Sequence, residues 1–316
     1  MEILTSGTNT SLRGLSVVND NVVWVSGNHG TVGKTTNGGK NWKWYVVKGF
    51  DSADFRDIEA FDAATAVIMA VGTPAYILKT NDGGETWKVV YENKTEGMFL
   101  DAMEFWDQES GIVVGDPIKG RFFVASFDKK NNWKDIPYER RPVADSGEAC
   151  FAASGTNIRA LSETEAIFVS GGRRSRLFSK HGPIDLPLIQ GQETTGANSI
   201  AVYKSKKQAP AKRIFVVGGD FDNPDSTKKN AAYSTDGGKS WNLPNTAPHG
   251  YRSCVEYLSK KEIVTCGLNG VDYSTDGGKN FKWISKEAFH VCRLAKESGA
   301  VFLAGKNGRV ARLKYP

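Results

Sequence analysis

The sequence predicts an all-β fold built from repeated four-stranded antiparallel sheets, on three observations. A turn of the form Ser/Thr-x-Asp/Asn-Gly-Gly-x-x-Trp/Phe occurs at 35–42, 80–87, 234–241 and 274–281. Between the turns lie short runs of β-branched and aromatic residues, the types that fit a pleated, half-buried surface. The 316 residues include 34 glycines, enough for many tight turns. Asp or Asn followed by Gly-Gly is hairpin chemistry, because glycine supplies positive φ without steric cost and the Asx side chain bonds nearby amides. The aromatic residue closing each turn opens the next strand with a large surface to bury.

Taken in order, the chain is a series of meanders. The first reads Arg13-Gly-Leu-Ser-Val-Val, Asn21-Val-Val-Trp-Val-Ser, Thr31-Val-Gly-Lys-Thr and, past the Asn37-Gly-Gly turn, Trp42-Lys-Trp-Tyr-Val-Val. The second runs from Arg56-Asp-Ile-Glu through Ala66-Val-Ile-Met-Ala and Tyr76-Ile-Leu-Lys-Thr to Trp87-Lys-Val-Val-Tyr. The third starts at Phe99-Leu-Asp-Ala-Met and ends in Ser126-Phe-Asp-Lys-Lys-Asn-Asn-Trp133, the same turn with its glycines lost. A long link at 138–156 leads to the fourth, whose turn, Ser179-Lys-His-Gly, is eroded. The fifth carries a full turn and two insertions, 204–212 and 220–230, and the sixth covers 252–283. The Ser/Thr that opens each turn recurs at intervals of 45, 46, 53, 55 and 40, the long ones falling where the link and insertions lie.

The last unit, with Val291-Cys-Arg-Leu-Ala, Ala300-Val-Phe-Leu-Ala and Arg309-Val-Ala-Arg-Leu-Lys, is one strand short. Glu2-Ile-Leu-Thr, ahead of the first unit, has no partner of its own. The economical resolution is that this N-terminal segment becomes the outer strand of the last sheet and closes a ring. Repeats of about 40–50 residues with strand patterning are propeller blades. The expectation is a single seven-bladed β-propeller domain of four-stranded antiparallel blades. Its blades lie near 13–50, 56–95, 98–137, 148–190, 198–245, 251–285 and 290–316 plus 1–6.

Bulk properties exclude several functions. Net charge is +6 and the isoelectric point near 9.0. Basic clusters at 173–176, 204–207 and 228–229 lack interleaved stacking aromatics, so they read as solvated loops and no nucleic acid partner is expected. No apolar run reaches the length of a membrane-spanning helix. No signal peptide is visible in this chain; the setting expected is extracytoplasmic, with any such peptide absent, and the state expected is monomeric. Cys150, Cys254, Cys266 and Cys292 form no Cys-x-x-Cys pair and have no ligand spacing with the four histidines, so neither a metal nor a cofactor is expected. Cys254 and Cys292 hold matching places in the innermost strands of adjacent blades and read as small buried strand residues.

The turn resembles the Asp-box, or BNR repeat, of sialidases, sortilin-type receptors and photosystem II assembly-factor-like propellers. Gly115-Asp-Pro-Ile-Lys-Gly-Arg-Phe, Glu148-Ala-Cys-Phe-Ala-Ala-Ser-Gly-Thr, Gly171-Gly-Arg173 and Gly218-Gly-Asp-Phe221 resemble a bacterial branch of the assembly-factor-like family. Members of that branch are loosely described as BNR-repeat glycosyl hydrolases or oxidoreductases. The resemblance implies that the boxes are structural: Asn37, Asp82, Asp128, Asp236 and Asp276 would hold turns, and Trp42, Trp87, Trp133, Trp241 and Phe281 would pack between sheets. Such a repeat specifies fold far better than function.

In a meander of this kind the box joins the third and fourth strands, far from the channel, so chemistry is sought at the opposite end. Arg13, Arg56 and Arg252 each open an innermost strand, with Arg159 and Arg293 near the same place. Loops joining second to third strands add His29, Asp116, Arg173, Arg174, Asp220 and Asp222; the link adds Glu148, and Tyr251 precedes Arg252. Several guanidinium groups at one mouth suit a carboxylate, sulfate or acidic glycan. The leading expectation is a non-catalytic propeller that binds an anionic small molecule, a glycan or a protein, with Arg13, Arg56, Arg173, Arg252, His29 and Tyr251 as ligand-binding candidates. The alternative is a glycoside hydrolase acting on an acidic sugar, with Asp116, Glu148 and Asp220 as catalytic candidates. Sialidase chemistry resembles a three-Arg clamp with a Tyr/Glu pair, and Arg13, Arg56, Arg252, Tyr251 and Glu148 fit that cast, but the Arg-Ile-Pro signature is missing. An oxidoreductase is least favoured, because no Gly-x-Gly-x-x-Gly joins a strand to a helix.

Overall fold

The computed structural model describes residues 1–6, 8–128, 132–205 and 208–314. The tip of the third-blade turn and part of the basic cluster at 204–207 lie outside the described residues. Seven antiparallel sheets stand around a ring, as the repeat pattern predicts. Blade one is Leu12–Val17, Val23–Gly27, Thr31–Thr35 and Lys43–Val46, in spatial order from the channel outward. Blades two, three, four and six repeat this order, starting at Phe55–Ala60, Leu100–Asp107, Ile158–Ala160 and Cys254–Tyr257. The first strands of neighbouring blades pack against one another and line the channel.

Burial explains the order. Inner strands such as Val23–Gly27, Ala66–Ala70 and Ile263–Gly267 are buried at every position, because both faces meet neighbouring blades. Outer strands such as Lys43–Val46 and Asn132–Asp135 are largely exposed. The core therefore lies between blades: Trp24 and Val32 of blade one pack with Phe55, Ile58, Ile68 and Leu78 of blade two.

The ring closes as the unpaired N-terminal segment requires. Glu2–Ser6 pairs antiparallel with Arg309–Arg312, outside Val301–Ala304 and Val291–Leu294, with Glu2 opposite Arg312 and Ser6 opposite Arg309. Blade five departs from the four-strand pattern. It has Thr195–Ser205, Gln208–Asp220 and Ala231–Ser234, and its outer strand shrinks to one bridge between Tyr233 and Asn242. Two residues later comes Pro244, which has no N–H to continue a ladder. A second departure lies in the link before blade four. Glu148–Ala149 pairs with Gly171–Gly172, which in turn bridges to Gly196 of blade five, so the link stitches two blades together.

Candidate functional site

A cavity of about 420 Å³ opens at the end of the channel where the innermost strands begin. Arg13, Arg56, Asn198, Ser253 and His290 reach it from strand starts of blades one, two, five, six and seven. Asp116, Phe221 and Leu268 reach it from second-to-third connections, and residues 149–153 of the link line one side.

Two guanidinium groups share this space. Arg13 Nη1 donates to the Ala153 carbonyl at 3.0 Å, spanning from blade one to the link before blade four. Burial and then the neighbouring Arg56 lower its pKa, so the two cations oppose each other across an aromatic-lined pocket. Arg56 Nε donates to Asp54 Oδ2 at 2.7 Å, and its guanidinium lies over the Phe99 ring, 5.7 Å from the centroid. Phe221 makes edge contacts with Phe151 and Tyr251 at 5.8 and 6.2 Å. Tyr251 donates from its hydroxyl to Asn198 Oδ1 at 2.7 Å, and burial raises its pKa.

Burial shifts the remaining titratable groups toward their neutral forms. Asp116 is pushed up to about 6 by burial, although its Oδ1 accepts the Cys150 amide at 2.9 Å. Asp101 behind it is fully buried and raised well above the usual carboxylate range by burial and by Asp116. The Ala152 amide approaches Asp101 without completing a hydrogen bond to either oxygen. His290 is lowered to about 3 by burial and the cations Arg13, Lys306 and Arg56, so it is a neutral imidazole; its Nε2 sits 3.1 Å from Ser11 Oγ. Along the inner strands the channel holds ion pairs rather than open space: Arg159 with Glu104 and Glu256 at 3.6 and 4.0 Å, and Arg293 with Glu256 at 3.7 Å.

Among the nine ligand-binding and catalytic candidates, Arg13, Arg56, Asp116 and Tyr251 meet here, and five others lie elsewhere. Arg252 is fully buried and bonded to Asp272, the Tyr251 carbonyl and Asn269, so it braces blade six and does not face the mouth. Glu148 is sealed against Arg176 and Ser170, with no free oxygen for proton transfer. Arg173 is 60% exposed and faces Glu193 at 3.6 Å. His29 is an exposed turn residue at φ 57, and Asp220 caps its own loop by accepting the Asp222 amide at 3.1 Å. With Arg252 and Glu148 engaged, the sialidase-like cast has no clamp and no nucleophile pair.

Sequence reasoning missed His290, Phe99, Phe151, Phe221 and Asn198. A signal for His290 existed: it precedes Cys292 by two, as Arg252 precedes Cys254, so it holds the same register in the next blade.

Fold and boxes together define an Asp-box β-propeller. The BNR/Asp-box repeat model matches residues 232–243. No curated protein matches the chain in sequence. Among solved structures the chain is similar to "YCF48 bound to D1 peptide", with TM-score 0.68 and 16% identity over 98% of this chain and 95% of that one. YCF48 from Cyanidioschyzon merolae gives TM-score 0.68 and 13% identity over 98% of both chains. The WD40 propeller domain of Doa1 gives 0.64 and 13% over 98% and 95%. At such identities the likeness shows the fold alone.

Proposed function

We propose that this propeller is a non-catalytic binding protein that holds a carboxylate-bearing peptide segment in the mouth pocket. The observation that carries the reading is the pair Arg13 and Arg56, two like charges in one partly buried cavity ringed by Phe99, Phe151, Phe221 and Tyr251. Asp54 engages only the Nε edge of Arg56, so two partly buried guanidinium groups stand together at the pocket, and such groups match a carboxylate with two parallel donors. The aromatic rings suit an adjoining apolar side chain. A similar propeller is described with a bound peptide, which supports a protein partner over a sugar. Titration calorimetry with short peptides ending in an apolar residue, as free acid and as amide, tests this. Binding of the free acid is expected to fall at least tenfold with Arg13→Gln or Arg56→Gln and to be unchanged by Arg173→Gln. Equal affinity for acid and amide would sink the proposal.

One observation favours hydrolysis as a second reading. Asp116 has a carboxyl pushed up to about 6, the range of a general acid. A glycosidase also needs a second carboxylate reaching the substrate, and Asp101 is sealed behind the wall. Turnover of fluorogenic acidic glycosides, abolished by Asp116→Asn, would establish this reading over the first.

A further inference from the structure

Three of the four cysteines converge at one point away from the pocket. Cys254 and Cys266 face each other across the first two strands of blade six, and Cys292 comes from the innermost strand of blade seven. Their sulfurs all lie within 4.8 Å of one another, and all three residues are fully buried. None is in a disulfide. One buried cysteine in a strand is ordinarily a small hydrophobe. Three from three strands, meeting amid positions otherwise filled by Val, Leu and Ala, make a donor set.

The Cys254 and Cys292 segments already meet across the two blades, the Cys254 thiol donating to the Cys292 carbonyl at 3.3 Å. The Cys292 amide points at Cys254 Sγ, 3.4 Å away. Arg159 acts on Cys254 from blade four, and its Nη2 has no hydrogen-bond partner among the described residues. Cys150 stands apart, its thiol toward the Val169 carbonyl at 3.7 Å.

We propose that Cys254, Cys266 and Cys292 form a binding site for a soft, low-coordinate metal ion, copper(I). Thiolate sulfur selects copper(I) and zinc over hard cations, which take oxygen. Structural zinc takes four ligands, and this site offers three side-chain donors sealed from the solvent that could supply a fourth. Three sulfurs around a common ion at about 2.3 Å lie about 4.0 Å apart, so a trio already within 4.8 Å needs to close by less than about 1 Å. The monovalent charge also suits the interior. Copper(I) held by two thiolates, with the third sulfur kept as a neutral thiol, leaves one negative charge, toward which the Arg159 guanidinium acts alongside its pairs with Glu104 and Glu256; the displaced protons go to solvent and no electron is transferred.

The test uses the reduced full chain under anaerobic conditions. Copper(I) buffered by a bicinchoninate competitor is offered to the folded protein and, because the trio is sealed, also during refolding. One copper per chain is expected to survive gel filtration, with X-ray absorption reading sulfur neighbours only. Cys254→Ala, Cys266→Ala and Cys292→Ala are each expected to lower retained copper at least tenfold, and Cys150→Ala to leave it unchanged. Thermal melting checks that each variant folds; where one does not, the absorption spectrum of the unaltered chain still decides. Failure to retain copper by either route, nitrogen or oxygen neighbours, equal retention in all four variants, or preferential retention of zinc would each overturn the site.

Discussion

Arg13 and Arg252 hold like positions in their blades yet end in opposite environments. The difference is a single residue two strands away. Two positions before the Ser/Thr of the box stand Gly33, Leu78 and Ala232 in blades one, two and five, but Asp272 in blade six. That carboxylate draws Arg252 into the sheet. Arg252→Gln is expected to cost about 3–5 kcal/mol, because Asp272 is then left buried and uncompensated. Urea unfolding reads this, and adding Asp272→Asn should restore part of the loss; a midpoint that does not move would refute the bracing role. Asp116 gives a pH dependence. Its carboxyl is raised from 3.8 to about 6 in the fold, so its protonated form is favoured there. The stability this contributes is fully present below pH 3.8 and is lost as pH rises through about 6, a span on the order of 3 kcal/mol. Ionised Asp116 also places a negative charge on the wall of the pocket that Arg13 and Arg56 line, so anion affinity should weaken through the same window. His290, held at about 3, stays neutral across it. A flat affinity profile between pH 5 and 7 in the unaltered chain, or an unchanged slope in Asp116→Asn, would count against this account.

At the scale of the element, the box acts as a clasp between blades. In each full copy the opening hydroxyl accepts the amide four residues on: Gly39 to Thr35 at 3.0 Å, Gly84 to Thr80 at 3.0 Å, Gly238 to Ser234 at 2.8 Å and Gly278 to Ser274 at 3.0 Å. Asp82 is held at about 2 by hydrogen bonds from Thr86 and Thr80. The second glycine of each pair abuts the preceding blade. A Cβ on Gly278 would lie 2.1 Å from Phe215, and one on Gly39 2.5 Å from Leu4, at φ +88° and +89°. The aromatic residue follows: Trp87 meets Trp24 edge-on at 6.4 Å, and Phe281 meets Phe215 at 5.5 Å. Ser234→Ala should therefore cost about 1–3 kcal/mol by leaving the buried Gly238 amide unsatisfied. The same change at Ser179, whose oxygen accepts from the exposed His181 in the eroded turn, should cost far less. Comparable losses in the two variants would show that the hydroxyl is not what holds the clasp.

At the scale of the molecule, closure ties the two ends of the described chain together. Glu2–Ser6 covers the edge of Arg309–Arg312, while Leu12 and Gly308 link blades one and seven through the Gly305 and Thr10 carbonyls. Removing residues 1–6 bares a strand edge with unpaired amides, so the shortened chain should unfold at lower urea and self-associate, as read by light scattering. An unaltered midpoint and mass would mean that closure does not depend on this strand. Repeat period, turn chemistry and the unpaired N-terminal strand were legible in sequence because each is local: a four-residue hydroxyl–amide bond, a glycine at positive φ, a strand of apolar residues. The end of the ring where Arg13 and Arg56 open their strands was legible for the same reason. What each charged side chain meets was not, because partners come from other strands and other blades. Arg252 finds Asp272, Glu148 finds Arg176 and Arg13 crosses to Ala153. The cysteines divide the same way: register put Cys254 and Cys292 in adjacent blades, but Cys266 joins them only when the sheet of blade six aligns its strands. The sequence by itself determined a ring of Asp-box blades. Only the tertiary structure decided which charges were neutralised within it and which two were left facing a common pocket, because burial and pairing depend on residues far apart along the chain.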